Sequence, residues 1–341
     1  MTALAAFVGA LALWMGAYLA LVRTVDPYGD FNAFPRHFPL LIWDSRPAKL
    51  ALFQSYRAAG PVQGLILGSS RSAKLSPSEF EARTGKRFFN FGVGSAPAEE
   101  YLATYRWIRR QGVRPEIVII GLDIEALNNS DAPVPGFRRS AALNAMLVDE
   151  TAPFERIRDV LRIYNQAFTI PYFQDTCRAV ALSRRPHPAQ GDEILDPDGL
   201  ERDREIEREV AQGTFDLAQH IQRCLPNYVA RFSDRTGLSR RRERDVEQAV
   251  REARRDGAAV VVWLTPLHPV TVEHLAQRTR YRPLLEDARR YLAHLETSLE
   301  VSAYDFSDPS TFGGSLTGWY DCAHMDAGNA SKVVAGLVQG L

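Results

Sequence analysis

The 341-residue chain is long enough to bury one large core or two modest ones, and its 45% hydrophobic and 24% charged residues are those of an ordinary globular protein. Lys plus Arg equals Asp plus Glu at 41 each, so no net field draws the chain to nucleic acid or to an acidic surface.

Residues 1 to 22 carry no charged side chain, and Ala3 to Val22 is an apolar run that includes Trp14 and Tyr18. At about 1.5 Å per residue it spans a hydrocarbon core of about 30 Å. A cleaved signal peptide competes with this reading. Against it stand the length of the run, the lack of a basic segment before it, and the lack of a small-x-small site before Arg23. A soluble helix of this length would carry a polar face. A single membrane anchor over residues 1–23 is expected, its orientation unsignalled because little charge precedes the span. A connector over 24–59 follows. It is turn-rich through Val25-Asp26-Pro27-Tyr28-Gly29-Asp30-Phe31 and Pro35 to Pro39, with a short helix from Arg46 to Ala59.

From residue 60 strands and helices alternate. A strand is predicted over 62–67, ending in Gly68-Ser69-Ser70-Arg71. A helix over 77–84 follows, with Ser76 as N-cap, Pro77 at the first position, Glu79 closing a capping box and Gly85 ending it. Strand 87–91, helix 97–110 closed by Gly112, and strand 116–121 come next. Apolar runs without period-2 alternation suit strands covered on both faces, so the chain predicts a three-layer α/β domain over 60–341 with a parallel sheet and right-handed crossovers. Between about 137 and 255 strand signals vanish. Helical stretches over 153–167, 201–233 and 240–256, with a loop from Arg185 to Gly199, read as a helical insertion whose charges form a solvated face. The sheet resumes at Ala258 to Leu264, followed by Thr265-Pro266-Leu267-His268-Pro269, a helix over 283–299 and a strand over 301–306. Asp321-Cys322-Ala323-His324 then leads into a last helix over 326–339 that packs Val333, Val334 and Leu337 inward.

Cys177, Cys224 and Cys322 lack metal-site spacing. Cys177 and Cys224 fall in one helical region and would pair in an oxidising compartment; the plainer alternative makes all three small packing residues.

A buried strand that stops at a glycine and presents a serine before a helix exposes a nucleophile at the carboxyl edge of a sheet, although a plain serine-rich turn has the same form. Serine needs a base, and the base needs an orienting partner. His324 supplies the first and Asp321, three residues earlier on one loop, the second. His187, His220, His274 and His294 read as surface or packing residues. The oxyanion donors would be the N–H of Ser70 and that of Gly94 or Ser95, in the turn Asn90-Phe91-Gly92-Val93-Gly94-Ser95-Ala96-Pro97. A tight turn with no further role explains those glycines equally well. Asp123 heads the third turn at the same edge. A metal set of His324, Asp321 and His268 has no compact ligand pair behind it.

Gly68-Ser69-Ser70, Asn90-x-Gly92-x-Gly94, Gly121-x-Asp123 and Asp321-x-x-His324 resemble the ordered blocks of the SGNH/GDSL hydrolase superfamily. They look closest to its membrane-anchored cell-envelope branch, which includes the D-alanyl transfer protein and the alginate O-acetylation proteins. Val25 to Gly29 and Pro266-Leu267-His268-Pro269 add to that likeness. The resemblance covers about residues 60–125 and 258–340. It implies a flavodoxin-like fold, Ser70 as nucleophile with Asp321 and His324 completing a triad, and oxyanion donors at Ser70, Gly94 and Ser95. Ser69, Arg71, Asn90, Gly92, Asp123 and His268 would line the site, with no metal and no cofactor. It also implies an O-acyltransferase or esterase of a cell-envelope polysaccharide, held at the cytoplasmic membrane by one span with its domain in the periplasm. A membrane partner would deliver the acyl group. Two blocks depart from the pattern: Gly-Ser-Ser replaces Gly-Asp-Ser, and Asp123 stands where the family places an oxyanion-binding Asn. An ionised Asp123 there would repel developing negative charge. The alternative in another class is a catalytically weak or inactive polysaccharide-binding or scaffold protein of an envelope assembly complex.

Overall fold

A computed structural model describes residues 2–27, 31, 38, 44–129, 136–137, 140–147, 161, 164–165, 167–183 and 193–341. The expected turns at 28–30 and 35–37, most of the helix at 153–167 and the start of the loop at 185–199 lie outside the described residues. The chain forms two compact units, one from residues 1–44 with 148–192 and one from 45–147 with 193–341.

In the first unit a helix runs from Thr2 to Val25 and a second from Ile170 to Leu182. The first is long and apolar enough to cross a membrane.

The second unit is built on a five-stranded sheet in the order β2-β1-β3-β6-β7, all neighbours parallel. The strands are β1 (Gly64–Leu67), β2 (Phe88–Asn90), β3 (Ile117–Leu122), β6 (Ala259–Leu264) and β7 (Ser302–Asp305). β1, β3 and β6 are buried on both faces, which is why these segments read as continuous apolar runs, whereas β7 at the sheet edge is half-buried. Leu65, Leu67, Val118 and Ile120 face one core with the helices Ala98–Arg110, Arg240–Arg255 and Tyr281–Leu299. Ile66, Ile119, Val261 and Trp263 face the other, with the helices Pro77–Thr84 and Ala327–Leu337. The α/β expectation holds. Ser76 Oγ accepts from Glu79 N at 3.4 Å and Gly85 closes that helix at φ +69°, as read, but among the described residues the Glu79 side chain takes no bond from Ser76 N, so the expected capping box is only half formed. At the last helix Asp326 Oδ1 accepts from Asn329 N at 2.8 Å.

Four features differ from the sequence reading. The Ser45–Ala58 helix is no connector, because it buries Arg46, Lys49 and Phe53 in the second unit. Within the stretch read as a helical insertion, β4 (Glu193–Leu195) pairs antiparallel with β5 (Glu201–Asp203), and Asp198 at the hairpin turn accepts a bond from Asn90 N at 2.9 Å. The Arg240–Arg255 helix, assigned to that insertion, puts Val246, Val250 and Ala253 into the main core and is one of the layers. A further helix, Pro269–Arg278, starts directly after the Pro-Leu-His-Pro run.

Candidate active site

In this strand order the chain leaves β1 toward β2 on one side and returns to β3 on the other, so the loops after β1 and β3 part at a crevice where open α/β sheets place ligands. Ser70 follows β1 and Asp123 follows β3. The turn after β1 is tight. Gly68 has φ +149°, and a Cβ there would lie 2.2 Å from Ser72 Oγ, so only glycine fits.

The loop from Trp319 to Met325 brings two side chains to Ser70. His324 Nε2 lies 2.8 Å from Ser70 Oγ, and His324 Nδ1 lies 2.8 Å from Asp321 Oδ2. The other oxygen, Oδ1, accepts the backbone N–H groups of Ala323 and His324, each at 2.8 Å. Burial pushes the Asp321 carboxyl up, but the His324 charge and these hydrogen bonds outweigh it and hold it well below the usual carboxylate range. An ionised Asp321 fixes the proton on Nδ1 and leaves Nε2 free to accept from the serine hydroxyl. Backbone bonds brace the loop: Tyr320 N donates to His324 O at 2.8 Å, and His268 N to Cys322 O at 2.9 Å. A disulfide joins Cys322 to Cys224 on the Leu217–Ser233 helix and leaves Cys177 as a free exposed thiol. The Cys177–Cys224 pairing and the reading of all three cysteines as packing residues are thereby corrected: Cys224 and Cys322, far apart in sequence, meet where that helix crosses the loop.

Ser70 opens on a cavity of about 410 Å³, whose lining includes Ser69, Arg71, Ser95, Asp123, Tyr228 and Arg235. Five of the expected residues therefore meet there: Ser69, Ser70, Arg71, Ser95 and Asp123. Among the described residues, the N–H groups of Ser70, Gly94 and Ser95 have no hydrogen-bond acceptor. Ser95 holds φ +53°, an uncommon backbone for a residue with a Cβ. Gly94 does not line the cavity; Arg46 Nη2 donates to its carbonyl at 3.1 Å.

Three expected lining residues act elsewhere. Asn90 Nδ2 donates to Ser72 O and Leu75 O, each at 2.8 Å, while its Oδ1 accepts from Gly92 N at 2.7 Å. It ties the first turn to the second and has no group left for the cavity. Gly92 lets the turns touch, since a Cβ there would lie 2.5 Å from Ala73 N. His268 caps the Pro269–Arg278 helix, its Nδ1 accepting from Val270 N at 3.2 Å and its Nε2 donating to Leu316 O at 3.1 Å. Burial lowers its pKa, in keeping with that neutral tautomer. Among the described residues no group of His, Cys, Asp or Glu is placed to hold a metal.

Asp123 is buried beneath the first turn. Its Oδ1 accepts from Thr265 Oγ1 at 2.5 Å and lies 3.4 Å from Arg71 Nη1, and its carboxyl also engages Ser69. Burial raises its pKa against the pull of Arg71, and Glu125 raises it further. In Glu125 the same burial is outweighed by Arg71 and Arg235, so its pKa is lowered. Asp123→Asn is expected to keep stability within about 1 kcal/mol, whereas Asp123→Leu, which strips Thr265 and Arg71 of an acceptor, loses about 1–3 kcal/mol. Urea unfolding of both variants checks this. An Asn variant as weak as the Leu variant would show that the charge itself is required.

Sequence reasoning missed two buried cations. Arg46 pairs with Glu100, both buried, with Nε to Oε1 at 2.7 Å and Nη2 to Oε2 at 2.8 Å, and Lys49 Nζ donates to Gly92 O. Together they occupy two carbonyls of the second turn, those of Gly92 and Gly94. The signal was present: Arg46, Lys49 and Phe53 stand at i, i+3 and i+7, on one helical face with a buried aromatic.

No protein-family model matches the chain, and no curated protein matches its sequence. Among solved structures, a candidate acylhydrolase from Bacteroides fragilis matches at 10% identity and a TM-score of 0.38, over 84% of this chain and 91% of that one.

Proposed function

We propose that the chain is a membrane-anchored serine O-acyltransferase or esterase acting on acyl esters of a cell-envelope polysaccharide. The observation that carries the reading is the unbroken hydrogen-bonded run Asp321–His324–Ser70. In this reading the Ser70 proton passes to His324 Nε2 as Oγ bonds to the ester carbonyl carbon. The N–H groups of Ser70 and Ser95 face the developing oxyanion. The carbon–oxygen bond to the departing alcohol breaks, and that oxygen takes the proton from His324. A glycan hydroxyl, giving transfer, or water, giving hydrolysis, then attacks acyl-Ser70; His324 takes the attacker's proton, the bond from the acyl carbon to Ser70 Oγ breaks, and His324 returns that proton to Oγ.

Two features refine the proposal. The cavity wall sets charged groups (Arg71, Asp123, Arg235) beside small ones (Ala96, Ala126), which suits a short acyl group and a polar carrier. The Cys224–Cys322 bridge fits an oxidising compartment and supports placing this unit outside the cytoplasm.

A fluorophosphonate probe tests the reading directly. Labelling of the wild type that is lost in His324→Ala supports an activated Ser70. An unlabelled but folded protein refutes catalysis and favours the polysaccharide-binding alternative. With p-nitrophenyl esters, kcat/KM is expected to fall from acetate to octanoate; a preference for octanoate would exclude the short acyl group.

A further inference from the structure

We propose that the Ile170–Leu182 helix lies in the membrane interface, with an apolar stripe seated in the lipid leaflet that the Thr2–Val25 helix crosses. The proposal rests on reading Thr2–Val25 as a membrane span. Thr169 caps the second helix, its side chain accepting from Tyr172 N at 3.4 Å, with Pro171 in the first turn. One face, Tyr172, Thr176 and Ala179, is buried at i, i+4 and i+7. Next to it around the helix, Ile170, Phe173, Cys177 and Ala181 form a second apolar stripe at spacings of three and four, and all four are exposed. The polar residues Gln174, Asp175 and Arg178 occupy the remaining arc. The apolar arc is thus wider than the part that is covered, and Ile170 is 74% exposed.

The occupant follows from the neighbour. Tyr18 OH donates to Ala167 O, and the Tyr18 ring lies 5.2 Å from Phe168 and 6.0 Å from Phe173. Val22 packs with Ala167 and Tyr172, and Arg23 Nη1 donates to Tyr164 OH at 3.2 Å. These contacts fall in the last two turns of the long helix. From Tyr18 to Val25 is about 10 Å of rise, the depth at which amphipathic helices lie and aromatic rings collect. The stripe therefore continues the exposed apolar surface of Thr2–Val25 at one edge of the bilayer. In water such a patch would be a liability; against lipid it is covered.

Cys177 makes the test possible without a substitution, since Cys224 and Cys322 are bridged and it is the single free thiol. The full chain, reconstituted in phosphatidylcholine–phosphatidylglycerol nanodiscs, carries an NBD fluorophore on Cys177. Emission should be blue-shifted, quenched by spin-labelled lipid and insensitive to aqueous iodide. In a Cys177→Ser background, a label at Gln174→Cys should show the reverse, and one at Leu11→Cys reports the span. Iodide quenching at Cys177 with lipid quenching at Leu11 overturns the interfacial helix while keeping the span. Iodide quenching at both removes the span reading itself. A Cys177 label shielded from both quenchers assigns the stripe to a protein contact and also overturns the proposal.

Discussion

Ser70→Ala should lower acyl-ester turnover by about 10³–10⁶-fold while stability changes little. The hydroxyl's partner is His324, in a half-buried position, and losing one such bond costs at most about 1 kcal/mol. The catalytic loss has a different origin, because without Oγ no covalent intermediate forms and the base has nothing to deprotonate. His324→Ala should lose a similar factor, and the double variant should be no worse than either single one, since the groups act as a unit. Steady-state kinetics on p-nitrophenyl acetate, with calorimetry beside it, separates the cases. Independent losses that multiply in the double variant would show that the two side chains do not serve one step.

Opening the Cys224–Cys322 bridge should be the most damaging change to stability. It closes a loop with a sequence separation of 98, for which restraint of the unfolded chain is worth about 2–5 kcal/mol. Cys322 also stands between Asp321 and His324, so the bridge fixes the segment that carries both against the Leu217–Ser233 helix. Cys224→Ser with Cys322→Ser should lower the urea midpoint and, in conditions where the protein is still folded, depress kcat more than it raises KM. A double variant with full kcat would mean that the backbone bonds from His268 and Tyr320 hold the loop unaided.

What was legible in the sequence had local causes. β1 and β3 are buried on both faces, so their apolar runs announce themselves. The caps at Ser76, Gly85 and Asp326 depend on residues within one turn. Asp321 and His324 share one loop, so their pairing was a matter of a few bonds. The rest depends on what the fold brings near. Glu201-Arg202-Asp203 carries no strand signal and pairs only because a turn returns it to Glu193–Leu195. Arg46 and Lys49 read as solvated until Glu100 and the Gly92 carbonyl arrive from elsewhere. Asn90 and His268 stand in the expected loops, but their side chains are spent on backbone groups. Asp123 looked like an electrostatic obstacle until Arg71 and Thr265 appeared beside it.

The serine and its base stand 254 positions apart in the chain, on the first and last segments that reach the crevice. The ribosome delivers the former long before the latter. Throughout synthesis, then, this hydroxyl is without the partner that the proposed reaction requires of it. On the proposed function, reactivity would switch on only when the tail docks, so completed folding would itself be the activating event.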